Sequence, residues 1–204
     1  MNKLNQNILI DVPIPIVTDR LILRPPMAGD GVALQEAKLE TREQLYQWMI
    51  WAKEKDSVAE SEITCREAYA KFIAREDMMM FAFDKATSKF IGSSGIHRFD
   101  WSVRRFELGY WVRKSEQGKG YATEIANALT RYAFGALNAR AVMIGHADGN
   151  KASKHIIQKL GFEFEGTAKF TEELPNGDVV DSHSYSRVDT KGLPELQVTW
   201  GIEP

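Results

Sequence analysis

Gln117-Gly118-Lys119-Gly120-Tyr121-Ala122 (QGKGYA) separates two stretches of different period. Before it, residues 106–112 (FELGYWV) alternate: Phe106, Leu108, Tyr110 and Val112 point one way, Glu107 and Trp111 the other, which predicts a strand. After it, Ile125, Leu129, Tyr132 and Ala133 recur at i, i+4, i+7 and i+8, which predicts an amphipathic helix. Between them, small residues at 118, 120 and 122 let the backbone approach a ligand closely. Free amides at a helix start, with the positive end of the helix dipole, form an anion site suited to a pyrophosphate. The same letters also fit a glycine-rich strand-to-helix turn that binds nothing, because short phosphate-loop patterns recur by chance.

Working outward, residues 80–83 and 90–94 flank a polar turn at 84–88 and read as a hairpin. Downstream, 141–146 is a short apolar strand. Asn150 then caps a helix that turns Ala152, Ile156, Ile157 and Leu160 inward and stops at Gly161. Two last strands, 166–170 and 179–188, are joined by a loop containing Pro175-Asn176-Gly177-Asp178. At the front, Pro13 and Pro15 punctuate an extended start, 18–23 alternates as a strand, and Pro25-Pro26 ends it. Asp30 caps a helix with Leu34, Ala37 and Leu39, and Leu45, Trp48, Met49 and Trp51 continue at helical spacing. Residues 62–75 form another helix, with Ala68, Phe72 and Ile73 on one side. The order β–α–α–β–β–β–α–β–α–β–β describes an α/β fold, a mixed sheet with helices on its faces. No repeat, low-complexity tract or linker divides it, so a single domain is expected over 1–204, with its core at about 18–187.

A chain of 204 residues can bury roughly 70% of its unfolded surface, and 44% apolar with 26% charged residues is ordinary globular composition. A net charge of −2 gives no basic excess for nucleic acid. Cys65 is the only cysteine, which excludes an intrachain disulfide and fits a reducing cytoplasm. Residues 1–10 lack a cationic start followed by a long apolar run, and nowhere do 18 apolar residues follow one another. A cytoplasmic protein without signal peptide or membrane span is expected. His97, His146, His155 and His183 lack metal-ligand spacing and read as structural or surface residues, so no metal is expected.

Two nucleotide loops fail on the letters. A Walker A loop needs Gly where Arg113 stands and Ser or Thr where Gly120 stands. A dinucleotide fingerprint needs a third small residue where Thr123 stands, and an acid at the end of the next strand, where only Ala147-Asp148 follows.

Residues 117–122 resemble the Gln/Arg-x-x-Gly-x-Gly/Ala pyrophosphate loop of the GNAT acetyltransferases. Asn150-Lys151-Ala152-Ser153, followed by Lys159-Leu160-Gly161-Phe162, is similar to that superfamily's next helix. Residues 18–24 (TDRLILR), 107–112 (ELGYWV) and Asn176-Gly177-Asp178 resemble the branch that acetylates the N-terminal alanine or serine of ribosomal proteins. The pieces run in order from about 18 to 187. The resemblance implies a twisted, mostly antiparallel mixed sheet whose central parallel strands, 106–112 and 141–146, splay apart. It implies acetyl-CoA as cosubstrate, with the pantetheine arm in the gap against Tyr110, Trp111 and the backbone near Val112. The loop and helix start from Gln117 to Thr123 would hold the pyrophosphate through the amides of Gly118, Gly120 and Ala122 beside Tyr121, with Lys119 either adding charge or only solvated. Asn150 would meet the pantetheine, cap its helix, or do both.

The resemblance also sorts the chemistry. Many members protonate the leaving thiolate with a tyrosine, and here Ile157 occupies that place. In the ribosomal-protein branch a serine substitutes, which maps to Ser153; the alternative is a first-turn serine satisfying backbone. The branch points to Glu172 as general base, with Glu173 beside it as a rival. Glu107 is a further candidate because it stands opposite the apolar face of its strand. Each glutamate also fits a solvated or ion-paired role. Trp48 and Trp51 would line the acceptor pocket or belong to the core. The expected acceptor is a protein N-terminal α-amine, which titrates near about 7.7–8.0 and is partly neutral in the cell. The alternatives are a small amine (polyamine, amino acid or drug) and a CoA-binding sensor without catalysis.

Overall fold

The computed structural model describes residues 6–201, the side chain of residue 99 excepted. Its strands are β1 (Ile16–Val17), β2 (Leu21–Arg24), β3 (Met78–Asp84), β4 (Phe90–Asp100), β5 (Arg105–Val112), β6 (Ala141–Ala147), β7 (Glu163–Glu173), β8 (Val179–Arg187) and β9 (Thr199–Trp200). Helices α1 (Gly31–Leu45) and α2 (Val58–Ala74) follow β2, α3 (Tyr121–Gly135) follows β5, and α4 (Lys151–Lys159) follows β6. The strands form one sheet in the order β7-β8-β6-β5-β4-β3-β2-β1-β9. Every neighbouring pair is antiparallel except β5 with β6. The mixed, mostly antiparallel sheet expected from the sequence is therefore present, extended by the two-residue strands β1 and β9, which are too short to show a period.

Alternation decides which face each strand gives to which helices. Met78, Met80 and Ala82 of β3 and Phe106, Leu108 and Val112 of β5 share a core with Ile125, Leu129 and Tyr132 of α3 and Ile157 of α4. The opposite face packs Phe81 and Phe90 against Leu34 and Ala37 of α1 and Cys65 of α2. The stripe expected on α3 is complete, since Ile125, Leu129, Tyr132 and Ala133 are all fully buried.

Three inward assignments are corrected. Leu39 is 52% exposed, Ile73 is 45% exposed, and Ala152 is exposed. At about 100° per residue, Leu39 lies about 140° around its helix from the buried Leu34, and Ala152 as far from the buried Ile157. Ile73 is about 100° from the buried Phe72. The helical spacing through Trp48 and Trp51 breaks as well: α1 ends at Leu45, Trp48 lies in a turn, and Trp51 in a 3-10 turn at Ile50–Ala52. Helix α2 starts at Val58, earlier than expected, because Ser57 and Glu60 form a reciprocal capping box. Among the described residues no helix is long and apolar enough to cross a membrane.

One feature of the sheet positions the site. β5 and β6 pair only at Arg105↔Ala141, Phe106↔Val142 and Glu107↔Met143. β5 continues alongside β4 to Val112, and β6 alongside β8 to Ala147. Beyond Glu107 the two parallel strands therefore part, leaving a fork with unpaired strand edges at the centre of the sheet.

Candidate active site

The glycine loop sits at the wide end of this fork. Gly118 and Gly120 have φ of +75° and +84°, left-handed backbone that glycine adopts without steric cost. A Cβ at Gly118 would meet nothing within 4 Å, and one at Gly120 would come only to 3.7 Å of Arg20 Nη2. These glycines are thus required by backbone conformation, and the surface beside them is bare. Gln117 ties the loop to the end of β5 by donating from Nε2 to the Val112 carbonyl at 2.9 Å. Lys119 Nζ and Lys89 Nζ both pair with Glu116, at 2.9 and 2.6 Å. One carboxylate serves two lysines, so the cluster keeps a net positive charge, which adds to the attraction of the loop amides and the start of α3 for an anion. Ala122 and Thr123 occupy the first turn of that helix.

The role of TDRLILR becomes clear at the same place. Thr18 Oγ1 donates to Glu124 Oε1 at 2.6 Å, and Arg20 Nε to Glu124 Oε2 at 2.7 Å. Arg20 Nη1 also donates to the Lys119 carbonyl at 3.1 Å, and its guanidinium lies 4.3 Å over the Tyr121 ring. Tyr121 in turn donates to Asp84 Oδ2 at 3.2 Å. Glu124, in the first turn of α3, is where a carboxylate favours the helix dipole. The motif clamps the start of α3 and the loop before it. A second tie comes from α1, where Glu40 pairs with Arg113 and accepts from the Ser115 amide at 2.5 Å. The hydrogen-bonded Arg113 guanidinium holds the Glu40 carboxyl down at about 2.

At the fork itself, two hydroxyls meet. Asn150 Oδ1 accepts from the Ser153 amide at 3.1 Å and so caps α4. Ser153 Oγ then lies 3.4 Å from Tyr110 Oη, so a residue of α4 touches one of β5 across the gap. Burial pushes the Tyr110 hydroxyl up to about 12. Ile157 is fully buried in the core. Tyr110 was expected only as a residue beside the cofactor, and its pairing with Ser153 depends on strand divergence that periodicity does not reveal.

The remaining residues divide between the two sides. Trp48 is half-buried, and its Cη2 is 3.6 Å from where a Cβ on Gly149 would stand, just before α4. Trp51, 42% exposed, tilts against Trp111 with ring centroids 6.1 Å apart, on the face of α1 and α2. Glu107 occupies the last β5–β6 rung, paired with Arg98 at 2.9 Å, its Oε1 3.8 Å from a Cβ position on Gly145. Glu172 stands on β7 opposite Val180, with β8 and β6 between it and β5. Glu173 is paired with Val179 beside it.

A sheet forked between two parallel strands, with a bare amide loop at the mouth and facing hydroxyls inside, forms the candidate site. The family model described as "Acetyltransferase (GNAT) domain" matches residues 20–163, and the chain belongs to that family. It is an acyltransferase, an acetyl-CoA-dependent N-acetyltransferase of GNAT type. The Bacillus subtilis (strain 168) protein named "Putative ribosomal N-acetyltransferase YdaF" is 27% identical over 157 residues, 75% of this chain and 83% of that one. The [ribosomal protein uS5]-alanine N-acetyltransferase of Escherichia coli (strain K12) is 27% identical over 156 residues, 76% and 80% of the two chains. Among solved structures, RimL, a ribosomal L7/L12 alpha-N-protein acetyltransferase in complex with coenzyme A, aligns with a TM-score of 0.79 at 24% identity. That alignment covers 85% of this chain and 97% of RimL, and it shows the fold.

Proposed function

We propose that this enzyme acetylates the N-terminal α-amine of a protein, with ribosomal proteins as the acceptor class, in the cytoplasm. Two relatives whose names read ribosomal N-acetyltransferase and ribosomal protein uS5-alanine N-acetyltransferase support the acceptor class. The observation that carries the reading is the seat of Trp48 against Gly149, which brings the Trp48–Trp51 segment to the helix start bearing Ser153. An acceptor bounded by that segment reaches the fork where Tyr110 and Ser153 meet. On the other side the hairpin of β7 and β8 presents Phe170 and Val179, 73% and 49% exposed, as apolar contacts for a peptide.

In this reading the amides of the 117–122 loop and of α3 hold the pyrophosphate of acetyl-CoA, and the free edge of β5 near Val112 holds the pantetheine. The structure fits that carrier: the faces of Gly118 and Gly120 are bare, and the β5 edge facing β6 is unpaired beyond Glu107. A backbone amide in that stretch polarises the thioester. Ser153, with Tyr110 behind it, donates a hydrogen bond to the sulfur as negative charge gathers there. Glu107 borders the reacting centre, and Glu172 on the acceptor side attracts the cationic terminus. The test is tandem mass spectrometry of alanyl and seryl peptides after incubation with acetyl-CoA. The reading requires the acetyl group on the first residue's nitrogen and none on peptides whose N-terminus is blocked. Acetylation confined to internal lysines refutes it.

A further inference from the structure

One row of ionisable groups crosses the sheet on the face that carries Phe81 and Trp111. Asp77 directly precedes β3, His97 is on β4 and Glu107 on β5; Met78 pairs with Ile96, and His97 with Glu107, so the three stand in line. His97 Nδ1 lies 2.6 Å from Asp77 Oδ1. The ring covers two glycines: a Cβ on Gly95 would fall 2.6 Å from its Cε1, and one on Gly109 would fall 3.2 Å from Cδ2 and 3.4 Å from Nε2. The Gly95 position therefore excludes a side chain if the ring is to stay where it is. Gly109 belongs to β5 just beyond Glu107, where that strand has left β6. The Asp77 bond thus fixes one ring nitrogen and leaves the Nε2 edge beside the strand segment that borders the fork. The His97 side chain is 32% exposed, within reach of an incoming group.

We propose that His97, oriented by Asp77, is the general base that takes the proton from the acceptor amine. The proposal rests on the acetyl-transfer reading above, with the amine arriving from this face. The nitrogen lone pair attacks the thioester carbonyl carbon, and a C–N bond forms. One N–H proton passes to His97 Nε2, whose Nδ1–H stays on Asp77. The C–S bond breaks, sulfur leaves with the bonding pair, and it gains a proton through the Ser153–Tyr110 pair, which is replenished from solvent. The imidazolium returns its proton to water, and acetylated amine and CoA thiol remain. Imidazole suits proton transfer near neutral pH, and a carboxylate on Nδ1–H sets the tautomer that leaves Nε2 able to accept. Glu107, the neighbour in the row, is already tied to Arg98 at 2.9 Å, and Glu172 lies three strands further across the sheet. Among the described residues, Asp77 from the β3 side, Glu107 from β5 and Arg98 from β4 are charged groups beside the ring.

The experiment uses His97→Gln, His97→Ala and Asp77→Asn enzymes with acetyl-CoA and an alanyl peptide. His97→Gln should lower kcat by about 100-fold or more, with acetyl-CoA affinity held within about twofold. Asp77→Asn, which favours the wrong tautomer, should lower kcat by about tenfold or more. Added imidazole should restore part of the rate of His97→Ala. Ring nitrogen NMR of the wild-type CoA complex should find the His97 proton on Nδ1, a readout that needs no acceptor. A kcat for His97→Gln within about threefold of wild type, or a neutral ring protonated on Nε2, overturns the proposal. If wild type turns over spermidine and no peptide, the acceptor reading fails, and the same variants measured on spermidine still decide the role of His97.

Discussion

Replacing Arg20 with alanine tests the link between the TDRLILR motif and the anion loop. Arg20 and Glu124 form an ion pair at 2.5 Å, with side chains 43% and 8% exposed. The substitution leaves a shielded carboxylate facing only the Thr18 hydroxyl. Breaking a fully buried pair costs about 3–5 kcal/mol, but water reaches the Arg20 side, which reduces the expected cost to about 1–2 kcal/mol. For a chain of this size that lowers Tm by about 2–8 °C. The lost tie to the Lys119 carbonyl also frees the loop, and a reordering cost of about 1–2 kcal/mol on binding should weaken CoA affinity by about 5- to 30-fold. Arg20→Lys keeps the charge but not the fork that grips Glu124 and Lys119 together, and should fall between. Thermal melts and calorimetric titration with CoA measure both effects. A lowered Tm with CoA affinity within about twofold of wild type would refute the loop-positioning argument and leave a structural tie only.

Three further outcomes follow from the site. Gly120→Val forces a β-branched residue into φ of +84°, so CoA affinity in calorimetry should drop by about tenfold or more while circular dichroism shows the fold retained. Ser153→Ala should lower kcat more than it weakens CoA binding, because its partner charge develops only as sulfur departs; a raised KM for acetyl-CoA at unchanged kcat reduces Ser153 to a binding residue. The Glu40–Arg113 tie should fail in acid. Glu40 is held down from 4.5 to about 2, so its stabilisation is complete above 4.5 and is lost as pH falls toward 2. The Tm difference between wild type and Glu40→Gln should be present at neutral pH and shrink across that window.

The sequence made legible whatever depends on neighbours in the chain. Alternation in 106–112 and the four-residue spacing of Ile125, Leu129 and Tyr132 are local consequences of strand and helix geometry, and both elements stand where they were expected. Asn150 as a cap needs only the three residues after it. The Trp48–Trp51 spacing misled because four aromatic and apolar positions imitate a helix that α1 does not continue. What stayed hidden depends on pairing between distant segments. Glu124 lies 104 residues from Arg20, and no local pattern marks either as the other's partner. Asp77 and His97 come together only through the register of β3 with β4, and Gly95 and Gly109 acquire their meaning from the ring above them. The divergence of β5 from β6 after three rungs is likewise a property of the sheet, and it is what brings Tyr110 to Ser153.

The central claim is that the acceptor is a protein N-terminus, and its most direct measurement is kcat/KM for acetyl transfer from acetyl-CoA to a panel of amines. The panel should hold N-terminal alanyl and seryl peptides of ribosomal proteins, spermidine and free amino acids, assayed on one enzyme preparation. The account predicts that at least one peptide exceeds every small amine by about tenfold or more, since only a peptide spans both the Trp48–Trp51 segment and the β7–β8 hairpin. A small amine that exceeds every peptide would contradict it.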